Sequence, residues 1–160
     1  MTRPPEFIGG HAKPPGVIVH LNGLDGWPEL ENAQDSILAA AHSTLGTDSQ
    51  LVEGELSITL VSDTEMTRLN GEWLDRTGST DVIAFSLGSA DSVLGDVYIA
   101  PDTAARNASS LGVDLIEEIL RLVIHGTLHV VGHDHPDGPD RDSSAMYRLQ
   151  EELLRGLEGR

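Results

Sequence analysis

The sequence predicts an α+β domain: a small mixed four-stranded sheet covered by helices. Three observations lead there. The segment order β α β α β β α α α is neither a strict β/α alternation nor all-helical. The third and fourth β segments are joined by only five residues, GSADS, which suits a hairpin and implies antiparallel pairing. The chain has 160 residues, of which 39% are hydrophobic, the size and apolar content of one domain with one core.

The elements follow in order. Residues 1–15, MTRPPEFIGGHAKPP, lack an apolar run and are rich in Pro and Gly; they read as a disordered leader ahead of a single domain over 16–160, with no secretory signal core. GVIVHLNG, Gly16 to Gly23, is a β-branched run bounded by glycines, the mark of a strand. A helix is expected to open at Pro28, carry Leu30, Ala33, Ile37, Ala40 and Ala41 on one face, and stop at Gly46. GELSITLVS, Gly54 to Ser62, alternates apolar and polar residues with the period of a half-buried strand. Ser62 and Glu65 fit a capping box, so a helix runs from there to about Trp73 with Met66, Leu69 and Trp73 facing the core. Thr80–Leu87 and Val93–Pro101 are the hairpin strands. Helices follow over about Asp102–Leu111, Asp114–Val131 and Asp142–Leu157, each opened by an acid that suits the positive helix end.

Composition narrows the function. Ten Lys and Arg against 26 Asp and Glu give a formal net charge of −16, so bulk attraction to nucleic acid or acidic membranes is excluded and an anionic partner must be held locally. With no cysteine, thiolate metal sites, disulfides and a cysteine nucleophile are excluded as well. The most apolar stretch, Leu115 to Val131, carries Glu117, Glu118, Arg121, His125 and His129, and reads as a buried helix rather than a membrane span. Aromatic residues, 4% of the chain, argue against the stacked-aromatic platform of many single-strand RNA binders.

Four of the 7 histidines fall in one segment, His125-Gly-Thr-Leu-His129-Val-Val-Gly132-His133-Asp134-His135. Residues four apart share a helix face, and two nitrogens on one tetrahedral zinc are roughly 3.3 Å apart, a distance that converging His125 and His129 side chains can meet. Gly132 suits a left-handed helix end, from which the chain can turn back and deliver His135 as a third ligand, giving a zincin-like metal helix. Three imidazoles would leave a fourth zinc position open to water; His133 or Asp134 could instead close it as a structural site, and Asp134 could otherwise fix a ligand tautomer. The blander alternative is that His125 and His129 are hydrogen-bonded core residues. Nickel or copper would also accept imidazole, so zinc rests on the precedent of tetrahedral three-histidine sites. The spacing matches the metzincin peptidase pattern H-E-x-x-H-x-x-G-x-x-H except that Gly126 stands where the general-base Glu belongs. Losing such a base typically costs about 10²–10⁴ in rate, whereas phosphodiester cleavage leans more on metal and cationic charge. A phosphodiester is thus favoured over a peptide.

HGTLHVVGHDH resembles the H-G-x-L-H-L-x-G-Y-D-H signature of the YbeY family of bacterial zinc endoribonucleases. TDVIAF (Thr80 to Phe85), Leu69-Asn70 and Leu94-Gly95-Asp96 with Ile99 resemble further family segments in the same order, so the likeness spans roughly Gly54 to Leu154. The resemblance implies a cytoplasmic, metal-dependent, single-strand-specific endoribonuclease. Its expected partners are rRNA and the ribosome, its expected roles small-subunit 3′-end maturation and ribosome quality control, with no DNA or membrane partner. It places one Zn²⁺ on His125, His129 and His135. Two positions depart from the family: His133 replaces a common Tyr, and Leu74 replaces a common Arg. Arg76 is the substitute candidate for contacting the scissile phosphate, and Asp134 or Asp137 for orienting ligand or water. Arg68, Arg106 and Arg121 read as helix-surface residues, and Asp81 and Asp96 as structural or supporting ones. A metzincin-like peptidase, or an assembly factor with structural zinc, are the alternatives.

Overall fold

The computed structural model describes residues 12–75 and 77–158; the first eleven residues of the expected leader and the candidate Arg76 lie outside the described residues. Nine regular elements run β1 (Gly16–Asn22), α1 (Gln34–Leu45), β2 (Glu53–Leu60), α2 (Asp63–Leu74), β3 (Val82–Ser86), β4 (Ser92–Ile99), α3 (Pro101–Leu111), α4 (Leu115–Val130) and α5 (Ala145–Glu158), with short 3-10 turns between some of them. The sheet order is β1-β2-β4-β3. β1 and β2, and β2 and β4, pair in parallel, while β3 and β4 form the antiparallel hairpin that the five-residue link requires. The fold is α+β, with a mixed four-stranded sheet, as the segment order implied.

Side chains alternate across the sheet, and the two faces have different cover. Val17, Leu56, Ile58, Val93, Val97 and Ile99 enter the main core with residues of α1, α3, α4 and α5. On the opposite face Ile83 and the half-buried Phe85 and Tyr98 meet Met66 and Leu69 of α2 in a smaller cluster. Helix α4 is the axis of the main core: eleven of its sixteen residues are buried, and it touches α1, α3, α5, β3 and β4. Truncating one of its fully buried side chains, such as Ile124 or Leu128, to Ala would cost about 2–5 kcal/mol.

Five local expectations are corrected. Pro28–Ala33 is a 3-10 turn and the α-helix begins only at Gln34. Leu30 and Ala33 stay on one buried face because residues three apart eclipse in a 3-10 helix. The last helix starts at Ala145 instead of Asp142, and its first turn is capped by Ser144, whose Oγ accepts the Tyr147 N–H at 3.2 Å. Trp73 does not face the core but is 63% exposed. Its helical spacing from Met66 is right, yet β3 is an edge strand, so the last turn of α2 overhangs the sheet and Trp73 leans edge-to-face on Phe85. Arg121 is no surface residue: its side chain is 19% exposed and held between Glu118 and Glu151 at 2.9 and 3.0 Å. Of the capping box, the Ser62 half is present, its Oγ accepting the Glu65 N–H, while the Glu65 carboxylate turns to Arg68.

Candidate metal centre

Two glycines let α4 lie close on the sheet. A Cβ on Gly126 would stand 2.6 Å from a Val97 methyl, and one on Gly95 of β4 would stand 2.5 Å from a Val130 methyl. Closer than about 3 Å something must shift, so the contact between helix and sheet depends on both residues lacking side chains. The last turn of α4 is then closed by Gly132, whose φ of 101° is the left-handed conformation foreseen for it. The Gly132 N–H donates to the His129 carbonyl at 3.0 Å and the His133 N–H to the Leu128 carbonyl at 2.9 Å, the paired bonds of a Schellman ending. That reversal sends residues 133–136 back along the helix face that carries His125 and His129.

The three imidazoles converge. Ring centroids lie 4.7 Å apart for His125 and His129, 5.1 Å for His125 and His135, and 5.0 Å for His129 and His135. One nitrogen from each ring lies within 4.8 Å of the others. Every Nδ1 faces an oxygen that can only accept: Gln150 Oε1 for His125 at 2.6 Å, the His133 carbonyl for His129 at 3.0 Å, and the Pro136 carbonyl for His135 at 3.1 Å. Each Nδ1 therefore carries the proton, and each neutral ring is left with its lone pair on Nε2. The His125 and His129 Nε2 atoms, 3.1 Å apart, cannot then share a hydrogen bond, and that spacing is close to the roughly 3.3 Å edge of a tetrahedral zinc shell. Burial pushes the His125 imidazole down to about 4, only partly offset by Gln150, and burial also lowers His129. Both rings are thus neutral at pH 7, the state that binds metal. This donor set of borderline imidazoles can hold a metal ion, and among the described residues it comprises these three histidines.

The other expected residues are distributed around this group. His133 contributes its carbonyl to His129. Asp134 accepts the main-chain N–H of His135 at 2.8 Å, so it shapes the turn, and the tautomers are fixed by carbonyls rather than by its carboxylate. Asp134, Asp137 and Asp81 line the cleft of about 670 Å³ onto which the histidines open; Asp81 also accepts Asn107 Nδ2 at 3.2 Å. Asp96, Arg68 and Arg106 do not line it. Leu74 does, at the position adjoining the segment that holds Arg76. Asn70 secures the chain at Gly78 from the inside, donating to that carbonyl at 3.0 Å.

Two residues were missed from the sequence. Gln150 is 2% exposed and orients His125 from α5. The available signal was a polar residue on the buried face shared with Met146, Leu153 and Leu154. Arg141 lines the cleft and also a second pocket of about 330 Å³ on the far side of His125. It is the cation that the described residues bring to the cleft, and nothing in the loop sequence GPDRDSS marks it.

Comparisons with known proteins agree with this geometry. A family model described as Endoribonuclease YbeY matches residues 20–158. A relative named Endoribonuclease YbeY from Azorhizobium caulinodans is 35% identical over 140 residues, covering 83% of this chain and 87% of its own. One of the same name from Syntrophotalea carbinolica is 37% identical over 113 residues, 67% of this chain and 75% of the relative. The solution structure of TM1509 from Thermotoga maritima superposes with a TM-score of 0.60 at 27% identity, covering 88% of this chain and 89% of that one. With its three-histidine cluster at the end of α4 and a family match over nearly the whole described chain, the protein belongs to the YbeY endoribonuclease family.

Proposed function

We propose that this protein is a zinc-dependent, single-strand-specific endoribonuclease of the cytoplasm. It matures the 3′ end of small-subunit rRNA and serves ribosome quality control, with rRNA and the ribosome as partners. The observation that carries the reading is the set of three Nε2 lone pairs aimed into one cleft, each fixed by an Nδ1–H bond to a carbonyl oxygen. His125, His129 and His135 would hold the ion. When bound, zinc supplies positive charge that lowers the pKa of water and offsets the charge developing on a phosphodiester.

The chain's own residues do the rest. Water is the nucleophile and the bond broken is between phosphorus and a ribose oxygen. Arg141, which lines the cleft, and Arg76, the candidate from the sequence, supply the guanidinium groups for the phosphate oxygens in this reading, since a guanidinium can grip phosphate in bidentate fashion. Asp134 keeps His135 turned toward the cleft, and Asp137 at its rim is positioned to orient water.

Gly126 speaks against a peptidase. The direction in which a metzincin Glu would leave the helix is filled by Val97 and Val82, so a carboxylate there would collide with the sheet. The test is metal analysis together with cleavage of structured ribosomal RNA and of casein. The expected outcome is about one zinc per chain and RNA cleavage that falls steeply between low and moderate salt, with both zinc and cleavage lost in His129→Ala. Casein digestion with RNA left intact would select the peptidase. A four-protein-ligand shell with no hydrolysis would select a structural zinc. Arg76→Ala and Arg141→Gln should each lower RNA cleavage without lowering zinc content.

A further inference from the structure

Resting on the single-strand endoribonuclease reading, we propose that the Trp73 indole is the stacking platform for a nucleobase of the RNA strand entering the metal cleft. Indole side chains are usually well buried, yet this one is 63% exposed on the last turn of α2. It is not loose. Its ring meets Phe85 edge-to-face at 6.1 Å, and Phe85 meets Tyr98 in the same manner at 6.1 Å, so three rings form a braced row. One of the chain's two tryptophans, one of its two phenylalanines and one of its two tyrosines are gathered there.

The row runs into the site. Phe85 and Leu74, the neighbour of Trp73, line the same cleft as His125, His129 and His135. Trp73 is not itself a lining residue of the cleft; it adjoins two that are, Leu74 through the chain and Phe85 through the ring contact.

The charge balance says which occupant fits. A chain of net charge −16 gains little from general attraction to a polyanion, and stacking is a contact with nucleic acid that needs no cation. A braced aromatic ring of this kind accepts any base whose face is free, as in a single strand, and rejects paired bases, whose faces are already covered. Trp73 thus supplies both affinity and the preference for unpaired RNA, while the histidine wall supplies the chemistry.

The test uses the two tryptophans. Trp27 donates to Asp102 and does not line the cleft, and Trp27→Phe leaves Trp73 as the single indole reporter. A hexamer of single-stranded RNA added to the metal-free protein should quench its emission saturably, whereas an abasic hexamer or the same sequence in a duplex should not. In the otherwise unaltered, zinc-loaded chain, Trp73→Ala should raise KM for single-stranded RNA about 5- to 100-fold with kcat, zinc content and melting temperature little changed, and Trp73→Phe should restore most of the loss. Equal quenching by the abasic strand, or an unchanged KM in Trp73→Ala, overturns the assignment. An unchanged KM together with weakened binding to ribosomal proteins would make the indole a protein contact instead. If the unaltered zinc-loaded protein cleaves no RNA at all, it is the endoribonuclease reading that fails. If it cleaves normally and only the Trp73 variants behave like wild type, the stacking proposal alone fails.

Discussion

The two walls of the cleft are built by different means. The histidine wall comes from eleven consecutive residues, His125 to His135, and two of its three Nδ1 acceptors are backbone carbonyls from that stretch and the residue after it, those of His133 and Pro136. The facing wall is assembled from the end of α2, the strand β3 and the segment secured by Asn70, pieces joined by a sheet edge and one side-chain bond to Gly78. Local geometry makes the first wall rigid and explicit in the sequence. The second wall exists only because the chain folds, and substitutions there should alter affinity more than metal.

The largest effect expected from that contrast is on the histidine wall. His129→Ala should remove zinc to background and cut RNA cleavage by more than about 100-fold, beyond the roughly 10–100-fold typical of losing an outer partner. Retention of one zinc per chain would show that the three imidazoles are not a unit. Next in size is the pH response of the metal-free protein. His125 sits at about 4 in the fold against an ordinary value near 6.5, so the unfolded chain takes up the proton first. Stability held above about pH 6.5 is therefore lost as the pH falls toward 4, by about 3 kcal/mol. Denaturant titrations at pH 7 and pH 4 should show that extra loss in wild type and not in His125→Gln; parallel losses in the two proteins would refute it.

Gln150→Leu probes the one member of the histidine wall that comes from elsewhere in the chain. It strands the His125 Nδ1–H and should weaken zinc affinity about 10- to 100-fold while α5 stays folded, measured by competition with a chelator. A smaller effect is expected from Gly126→Ala. Its methyl group meets Val97, and overpacking of about 1–3 kcal/mol exceeds the gain of about 1 kcal/mol in helix propensity, so thermal melting should shift down slightly with the zinc content intact. A rise in melting temperature would mean that the helix and sheet have room to spare.

Legibility in the sequence followed the same division. The hairpin, the alternating strand β2, the Gly132 reversal and the three converging histidines were all visible because each depends on residues a few positions apart. Trp73 was misassigned because a periodicity of 3.6 tells which way a side chain points, not whether the sheet extends far enough to cover it. Arg121 was misassigned because its two carboxylate partners lie one turn away on its own helix and on α5.

By itself, then, the sequence determined the α+β class, the absence of any thiolate ligand, and a helix that ends in a turn returning a third imidazole, since bond geometry within eleven residues dictates that return. Tertiary structure alone decided that Gln150 from α5 orients His125, that Arg141 reaches the cleft, and that an edge strand leaves Trp73 open beside it. The physical reason is range. Hydrogen bonds along a helix are encoded in adjacent residues, whereas the meeting of α2, β3, α4 and α5 is set by how the whole core packs.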